Sequence, residues 1–328
     1  MAPNRQFIDI GTDGELLLSR DDAPAPGPEN VLIEVEFAGI NRADVLQRMG
    51  LYPPPADASP IMGLEVAGRI AAVGPEVSHW AVGDRVCALV HGGGYASHCI
   101  ARADHCLALP DSIDSKHGAG LPEALLTVWH NVFQRGGLKA GETVLIHGGT
   151  SGIGTLGIQM AKAMGSTVLS SAGSAEKCQQ AEALGAKFVA NYREGDLVAQ
   201  FAAAGYNEAI DVILDIAGGD FCQVNFDLAA VDGRIVCIGM MRGASAEINL
   251  MSLLGKRLTL TGSTLRRMNT ADKAAAFAEI QTHIMPKVVA GEISPIIHAV
   301  YPLAEALAAQ ELMQSGAHSG KIVLDCRS

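Results

Sequence analysis

The sequence predicts an α/β chain in which a doubly wound parallel sheet is joined to a second part with the character of a partly open β-barrel. Three observations carry this reading. Residues 143–162, TVLIHGGTSGIGTLGIQMAK, pass from an apolar, β-branched run through a glycine-rich turn into a helical period. From Leu125 onward, helical patterns alternate with short strand-like runs, as they do in parallel βα units. Before that point glycine and proline punctuate much of the first 120 residues, as a barrel of short strands requires.

Taken in order, Val31–Ala38 (VLIEVEFA) alternates as a strand does after the Gly27-Pro28 turn, and the proline-dense stretch from Tyr52 to Pro60 is a loop. Thr143, Val144, Leu145 and Ile146 form a buried strand bounded by Gly141 and by Gly148-Gly149. Ile153, Leu156, Gly157, Met160, Ala161 and Met164 then share one face of a helix that starts near Ser151 or Gly152. Further strands are expected at Thr167–Ser171, Phe188–Val189, Val212–Asp215 and Arg234–Ile238. No internal repeat or low-complexity tract interrupts the alternation.

Strand, glycine turn and helix in this order make a seat for a dinucleotide pyrophosphate. The helix N-terminus offers unpaired N–H groups, and glycine lets the backbone approach a phosphate closely. The literal GxGxxG match, Gly152-Gly154-Gly157, begins five residues after His147, too late for its first glycine to make the tight turn. Counting from the strand end puts the three places at Gly149, Ser151 and Gly154, so the seat runs through Gly149, Thr150, Ser151, Gly152, Ile153 and Gly154. An ordinary glycine turn is the alternative. The second strand ends Leu169-Ser170-Ser171-Ala172-Gly173, without the acid that would bind the ribose hydroxyl of NAD, and Ser174 and Lys177 follow at once. Room and a cation for a phosphate favour NADPH as cofactor, with Glu176 as the dissenting charge.

Composition narrows the class. The 328 residues are 48% hydrophobic, enough for two cores. Seven scattered cysteines do not make a secreted disulfide framework, and no apolar leader or membrane-length run occurs, so a cytoplasmic enzyme is expected. A net charge of −11 argues against nucleic acid and anionic membranes as partners.

The turn GGTSGIG resembles that of the short-chain dehydrogenases, but about 140 residues precede it here and none of the five tyrosines has a lysine four residues on. A wider match begins earlier. AGINRADVLQRMGLYPPP, IMGLEVAGRIAAVG, VGDRV and the C-terminal GKIVL together resemble the medium-chain dehydrogenase/reductase superfamily, within it the zinc-free NADPH:quinone oxidoreductase, zeta-crystallin-like branch. NRADVLQR, LYPPP and GSTLR are especially similar to its p53-inducible quinone oxidoreductase subgroup.

That resemblance implies a GroES-like catalytic domain over 1–124 and 265–328 and a Rossmann NADPH-binding domain over 125–264, with a small-molecule site in the cleft between them and a homodimer formed by the nucleotide domains. It implies that Lys177 contacts the 2′-phosphate with Tyr192 nearby, although a solvated lysine and a rim aromatic would read the same. Asn41 and Thr127 match residues near the nicotinamide, Gly239 and Met240 end a parallel strand, and Arg266 sits where the chain leaves the nucleotide domain, where a structural ion pair is the alternative role. Asn41 also stands where zinc relatives have a ligand cysteine, and Leu64 where they have a ligand histidine. The chain holds no C-x-x-C pair for structural zinc, and His91, His98, Cys99, His105 and Cys106 read as barrel strands and turns; no metal is expected.

The implied activity is transfer of reducing equivalents from NADPH to a quinone. A quinone accepts hydride readily, so holding it against the nicotinamide and excluding water is most of the work. Tyr52 is the candidate hydrogen-bond or proton donor, or else an apolar wall, and Asn41 the orienting group. The rivals are an enone or enoyl-thioester reductase, a hydrolase and a non-catalytic NADPH-binding redox sensor. His91-Gly92-Gly93-Gly94 resembles a lipase oxyanion loop, but the chain has no G-x-S-x-G.

Overall fold

The computed structural model of the chain describes residues 3–327. It divides into two compact units: Met1–Glu123, Lys273–Val289 and Pro295–Ser328 form the first, and Ala124–Asp272 with Ala290–Ser294 the second. In chain order the first unit begins with strands β1 (Asn4–Ile10), β2 (Leu16–Asp22), β3 (Asn30–Gly39), β4 (Glu65–Val73), β5 (Arg85–Leu89), β6 (His98–Arg102) and β7 (Cys106–Ala108). The second holds β8 (Thr143–His147), β9 (Thr167–Ala172), β10 (Phe188–Asn191), β11 (Ile210–Asp215), β12 (Ala229–Cys237) and β13 (Thr259–Gly262). The chain then returns to the first unit with β14 (Ile297–Pro302) and β15 (Lys321–Asp325).

In the first unit β3 organises the sheet. One of its edges pairs with β4; the other is shared by β6 along 30–34 and by β15 along 37–39, giving the path β14-β15-β3-β4-β5-β7 with β6 beside β3. Gly68 of β4 lies against the backbone of Glu34, where a side chain would collide, which is how β3 and β4 shift register at that point. Val31, Ile33, Val35, Val66, Ile70, Val86, Ile322 and Leu324 close over this core.

The second unit is a fully parallel sheet in the order β10-β9-β8-β11-β12-β13. Its central strands are continuous apolar runs because helices cover both faces; Val144, Leu145, Ile146, Val212, Ile213 and Leu214 are all buried. The order reverses between β8 and β11, and at such a switch point ligands collect beyond the carboxyl ends of the strands.

All five parallel strands read from the sequence are present, with β9, β10 and β11 longer than expected and β12 running Ala229–Cys237. Two features lie outside that reading. The edge strand β13 is short and half-polar, so it lacks the apolar run that marks its neighbours. Trp129–Arg135 winds as a π-helix at the end of helix Pro122–Val128, a distortion that no hydrophobic period betrays and that is frequent at functional sites.

Candidate active site

In the second unit, Gly148 turns the chain out of β8 at φ +70°, and the N–H groups of Gly148 and Gly149 both donate to the Ser171 carbonyl at 3.1 Å, lashing the turn to the end of β9. Gly149 lies against the Ser170 hydroxyl, and Gly154 against the Gly148 carbonyl; neither place has room for a Cβ. Gly157 is looser, touching Ile146 where the helix crosses the sheet. Thr150 is buried, and Ser151 caps helix Gly152–Ala163 by accepting the Gly154 N–H at 2.9 Å. Gly152 and Ile153 therefore open the helix with N–H groups that have no intrahelical acceptor, the arrangement that binds a phosphate.

Behind the turn a chain of buried polar groups fixes three strand ends. His147 bridges the Ser171 hydroxyl at 2.8 Å and the Asn225 side-chain oxygen at 2.7 Å. Asn225 donates to Asp215 at 2.9 Å, and the other oxygen of Asp215 accepts the N–H groups of Ala217 and Gly218. Burial pushes the His147 imidazole below its ordinary value, against the pull of Asp215. From the sequence His147 reads only as a strand end, because its partners are remote in the chain.

At the end of β9, Gly173 packs under the Tyr192 hydroxyl, where any side chain would displace the ring, and the Tyr192 N–H is tied to the Ala172 carbonyl at 3.0 Å. Ser174 caps helix Ala175–Leu184 by accepting the Lys177 N–H at 3.2 Å. Burial and then the neighbouring Arg193 push the Lys177 ammonium below its ordinary value, with Glu176 opposing. Sequence reasoning missed Arg193. Its only signal in the sequence was adjacency to Tyr192. Two cations and a tyrosine beside an acid-free strand end suit a phosphate dianion.

Beyond β12, Gly239 lies tight against the Ile216 carbonyl, and Met240 is exposed at the same end of the sheet. Thr127 is buried, and its carbonyl accepts the Asn131 amide at 2.9 Å; the Asn131 oxygen takes the Ser263 hydroxyl at 2.7 Å. That link joins the π-helix to the segment leaving β13, where Arg266 stands in the short turn Leu265–Arg267.

Asn41 and Tyr52 belong to the first unit. Asn41 precedes helix Arg42–Arg48, its N–H held by Asp44 at 2.8 Å. Its side chain is fixed at both ends: the amide donates to Glu65 at 2.8 Å, and the oxygen accepts from the Lys321 ammonium at 2.8 Å. Lys321 in turn ion-pairs with Glu65, and both are buried. Gly39 makes this possible, because a side chain there would collide with the Glu65 carboxylate. Tyr52 is half-buried on the loop after the helix, its N–H on the Leu46 carbonyl at 3.2 Å.

Among the described residues no three of His, Cys, Asp and Glu converge in a way that could hold a metal ion. Cys99 and Cys106 are buried thiols raised by their burial, Cys99 to about 12, and His91 faces Asp57 at 3.3 Å from a glycine turn. At the position matching the zinc relatives' cysteine, both polar ends of Asn41 are engaged and an ammonium stands 2.8 Å away; Leu64 adds only carbon. These residues do not fit a catalytic zinc.

Comparisons with known proteins follow the same architecture. An alcohol dehydrogenase GroES-like domain model matches residues 27–111, and a zinc-binding dehydrogenase model matches residues 152–281. The quinone oxidoreductase of Rattus norvegicus is 31% identical over 314 residues, covering 94% of each chain. A phenolphthiocerol/phthiocerol polyketide synthase of Mycobacterium tuberculosis is 31% identical over 300 residues; the match covers 91% of this chain but only 14% of that much longer protein. Among solved structures, the Escherichia coli quinone oxidoreductase complexed with NADPH aligns with a TM-score of 0.85 at 31% identity, covering 98% of this chain and 100% of that one. The CurK enoyl reductase aligns at 0.86 and 26% identity, covering 98% and 99%. No helix among the described residues is long and apolar enough to cross a membrane.

Proposed function

We propose, since the chain belongs to the quinone oxidoreductase branch of the medium-chain dehydrogenase/reductase superfamily, that it is an NADPH-dependent oxidoreductase reducing a quinone without metal. The observation that carries this is the fixing of Asn41 between Glu65 and Lys321. With both polar ends of Asn41 engaged by Glu65 and the Lys321 ammonium and with Leu64 adding only carbon, these residues support an acceptor that needs no Lewis acid, and a quinone is such an acceptor.

The residues fit the cofactor. Gly152 and Ile153 at the helix N-terminus would hold the pyrophosphate, with Gly149, Thr150, Ser151 and Gly154 shaping the turn. Lys177, Arg193, Tyr192 and Ser174 would hold the 2′-phosphate, Gly173 giving Tyr192 its place. Thr127, Gly239, Met240, Arg266 and Asn41 are assigned to the nicotinamide end. When bound, NADPH supplies the hydride equivalent. Asn41, locked at both ends, keeps one amide N–H for a ribose or substrate oxygen, and Tyr52 walls the substrate.

Oxidation of NADPH and of NADH, followed by absorbance with chelator-treated protein and an ortho-quinone under anaerobic conditions, tests the reading. Rapid, chelator-resistant turnover preferring NADPH is expected; no oxidation with either cofactor refutes it. A second reading, reduction of an enone or enoyl thioester, is favoured by the likeness to the CurK enoyl reductase and to a polyketide synthase. Comparing turnover of an enone with that of a quinone separates the two. The second unit also carries an edge strand and exposed Leu250, Met251, Leu254 and Leu260 on β13 and helix Leu250–Lys256, a surface that suits a homodimer. Light scattering at assay concentration tests that. A cytoplasmic location is part of the same proposal.

A further inference from the structure

In the second unit the loop leaving β12 is zipped to the loop leaving β11. Arg242 donates its N–H to the Ala217 carbonyl at 2.8 Å, and Gly218 and Gly243 pair as an isolated parallel bridge. Gly218 and Gly219 turn at φ +64° and +55°. A Cβ on Gly218 would meet the Met240 sulfur and the Gly243 carbonyl, and one on Gly219 the Arg242 carbonyl. The two glycines let the loops close, and the closure fixes where the Arg242 side chain leaves the backbone.

The Arg242 guanidinium lies over the Phe221 ring at 5.1 Å and forks onto both oxygens of Asp220 at 2.5 and 2.6 Å. Phe221 is buried and makes T-shaped contacts with His147 at 4.9 Å and with Tyr192 at 6.1 Å between ring centres. One ring thus contacts both Arg242 and Tyr192, and Tyr192 is within electrostatic reach of the guanidinium. Tyr192 in turn packs on Gly173 at the acid-free end of β9, where Arg193 acts on the Lys177 ammonium. A 2′-phosphate brings roughly two negative charges to this place. Glu176 offsets part of what Lys177 and Arg193 supply, so the balance calls for one more cation.

We propose that Arg242 is a further cation of the 2′-phosphate site and a determinant of NADPH over NADH, with Asp220 holding the guanidinium until the phosphate takes it. The inference rests on the seating of the 2′-phosphate at Lys177, Arg193 and Tyr192 given above. Relative strength decides the exchange. The Arg242 and Asp220 side chains are 47% and 64% exposed, and an ion pair in such solvent contributes little. A guanidinium fork on a phosphate dianion is stronger, so the phosphate wins. Phe221 keeps the guanidinium placed before the ligand arrives, which limits the rotamer freedom lost on binding. A pair that merely fastened the two loops would support NADPH and NADH alike.

Calorimetric titration of the whole chain with NADPH, NADH, adenosine 2′,5′-bisphosphate and adenosine 5′-monophosphate tests this. Arg242→Gln should weaken NADPH and the bisphosphate roughly tenfold and leave NADH and the monophosphate within about twofold, which also shows the fold intact. Asp220→Asn, which releases the guanidinium, should strengthen NADPH about threefold. In the double variant that gain should vanish, because Asp220 acts through Arg242; a gain that survives there makes Asp220 a distant repelling charge and overturns the pairing. An Arg242→Gln variant with the parent's NADPH affinity, equal losses for NADPH and NADH, or Asp220→Asn without a gain likewise overturns the proposal. Lys177→Ala is the control for the seat itself. Equal losses of NADPH and NADH in that variant overturn the seating of the phosphate, while the ratio measured for Arg242→Gln still decides whether this guanidinium meets a phosphate.

Discussion

The Lys321 ammonium donates to the side-chain oxygen of Asn41 at 2.8 Å while pairing with Glu65, so one buried cation both neutralises a carboxylate and aims an amide. Removing it strands a buried charge, which costs about 3–5 kcal/mol. Lys321→Met is therefore expected to destabilise the protein by about that much in chemical denaturation. The double variant Lys321→Met, Glu65→Leu should recover most of the loss; simple additivity of the two single changes would refute the coupling.

The glycine turn was legible in the sequence because its determinants are local. A β-branched run, a tight turn and a capping serine lie within about ten residues, and their chemistry does not depend on the rest of the fold. The identity of Asn41 and Leu64 was legible too, but not what holds Asn41. Glu65 lies 24 residues from Asn41 and Lys321 lies 280 residues from it, brought together because β4 and β15 both pair with the end of β3. Arg193 escaped because the signal sought near the second strand was a missing acid. The π-helix Trp129–Arg135 leaves no mark on a hydrophobic period.

Asp44 should make stability depend on pH in an unusual direction. It is wholly buried with one oxygen unpartnered, and burial raises its carboxyl to about 6 from an ordinary 3.8, against hydrogen bonds from the Asn41 N–H and the Tyr95 hydroxyl. With the folded value the higher one, the folded state binds more protons between 3.8 and about 6, and the stability this contributes in acid is lost as pH rises through that window. At pH 7 the ionised group costs on the order of 3 kcal/mol. Asp44→Asn should gain stability relative to the parent as pH goes from 4 to 7 in urea titrations. A difference that does not change with pH would refute this.

Lys177 and Arg193 should separate the two nicotinamide cofactors. Each charge-assisted bond to a phosphate is worth about 1.5–3 kcal/mol, so Lys177→Ala or Arg193→Ala should weaken NADPH binding by roughly ten- to a hundredfold. NADH, which lacks the 2′-phosphate, should bind as before. Because Arg193 depresses the Lys177 ammonium, the two losses should not add. Fluorescence titration with both cofactors checks this; equal losses for NADPH and NADH would mean that the residues support the turn and not the phosphate.

Tyr52 should prove dispensable for chemistry. It stands half-buried on a proline-rich loop whose backbone is tied to the preceding helix by the Leu46 carbonyl. A phenol there can line an apolar pocket, and a hydroquinone anion can take its proton from water. Reduction then depends on placement, which a phenyl ring preserves: Phe keeps the shape and loses only the hydroxyl. Tyr52→Phe is expected to retain at least roughly a tenth of kcat, since loss of a hydrogen bond that is not made to a charge costs about 1 kcal/mol. Tyr52→Ala, which removes the wall, should raise KM for the quinone more than it lowers kcat. A several-hundredfold fall in kcat for Tyr52→Phe would make the hydroxyl a general acid, and placement alone would no longer account for the rate.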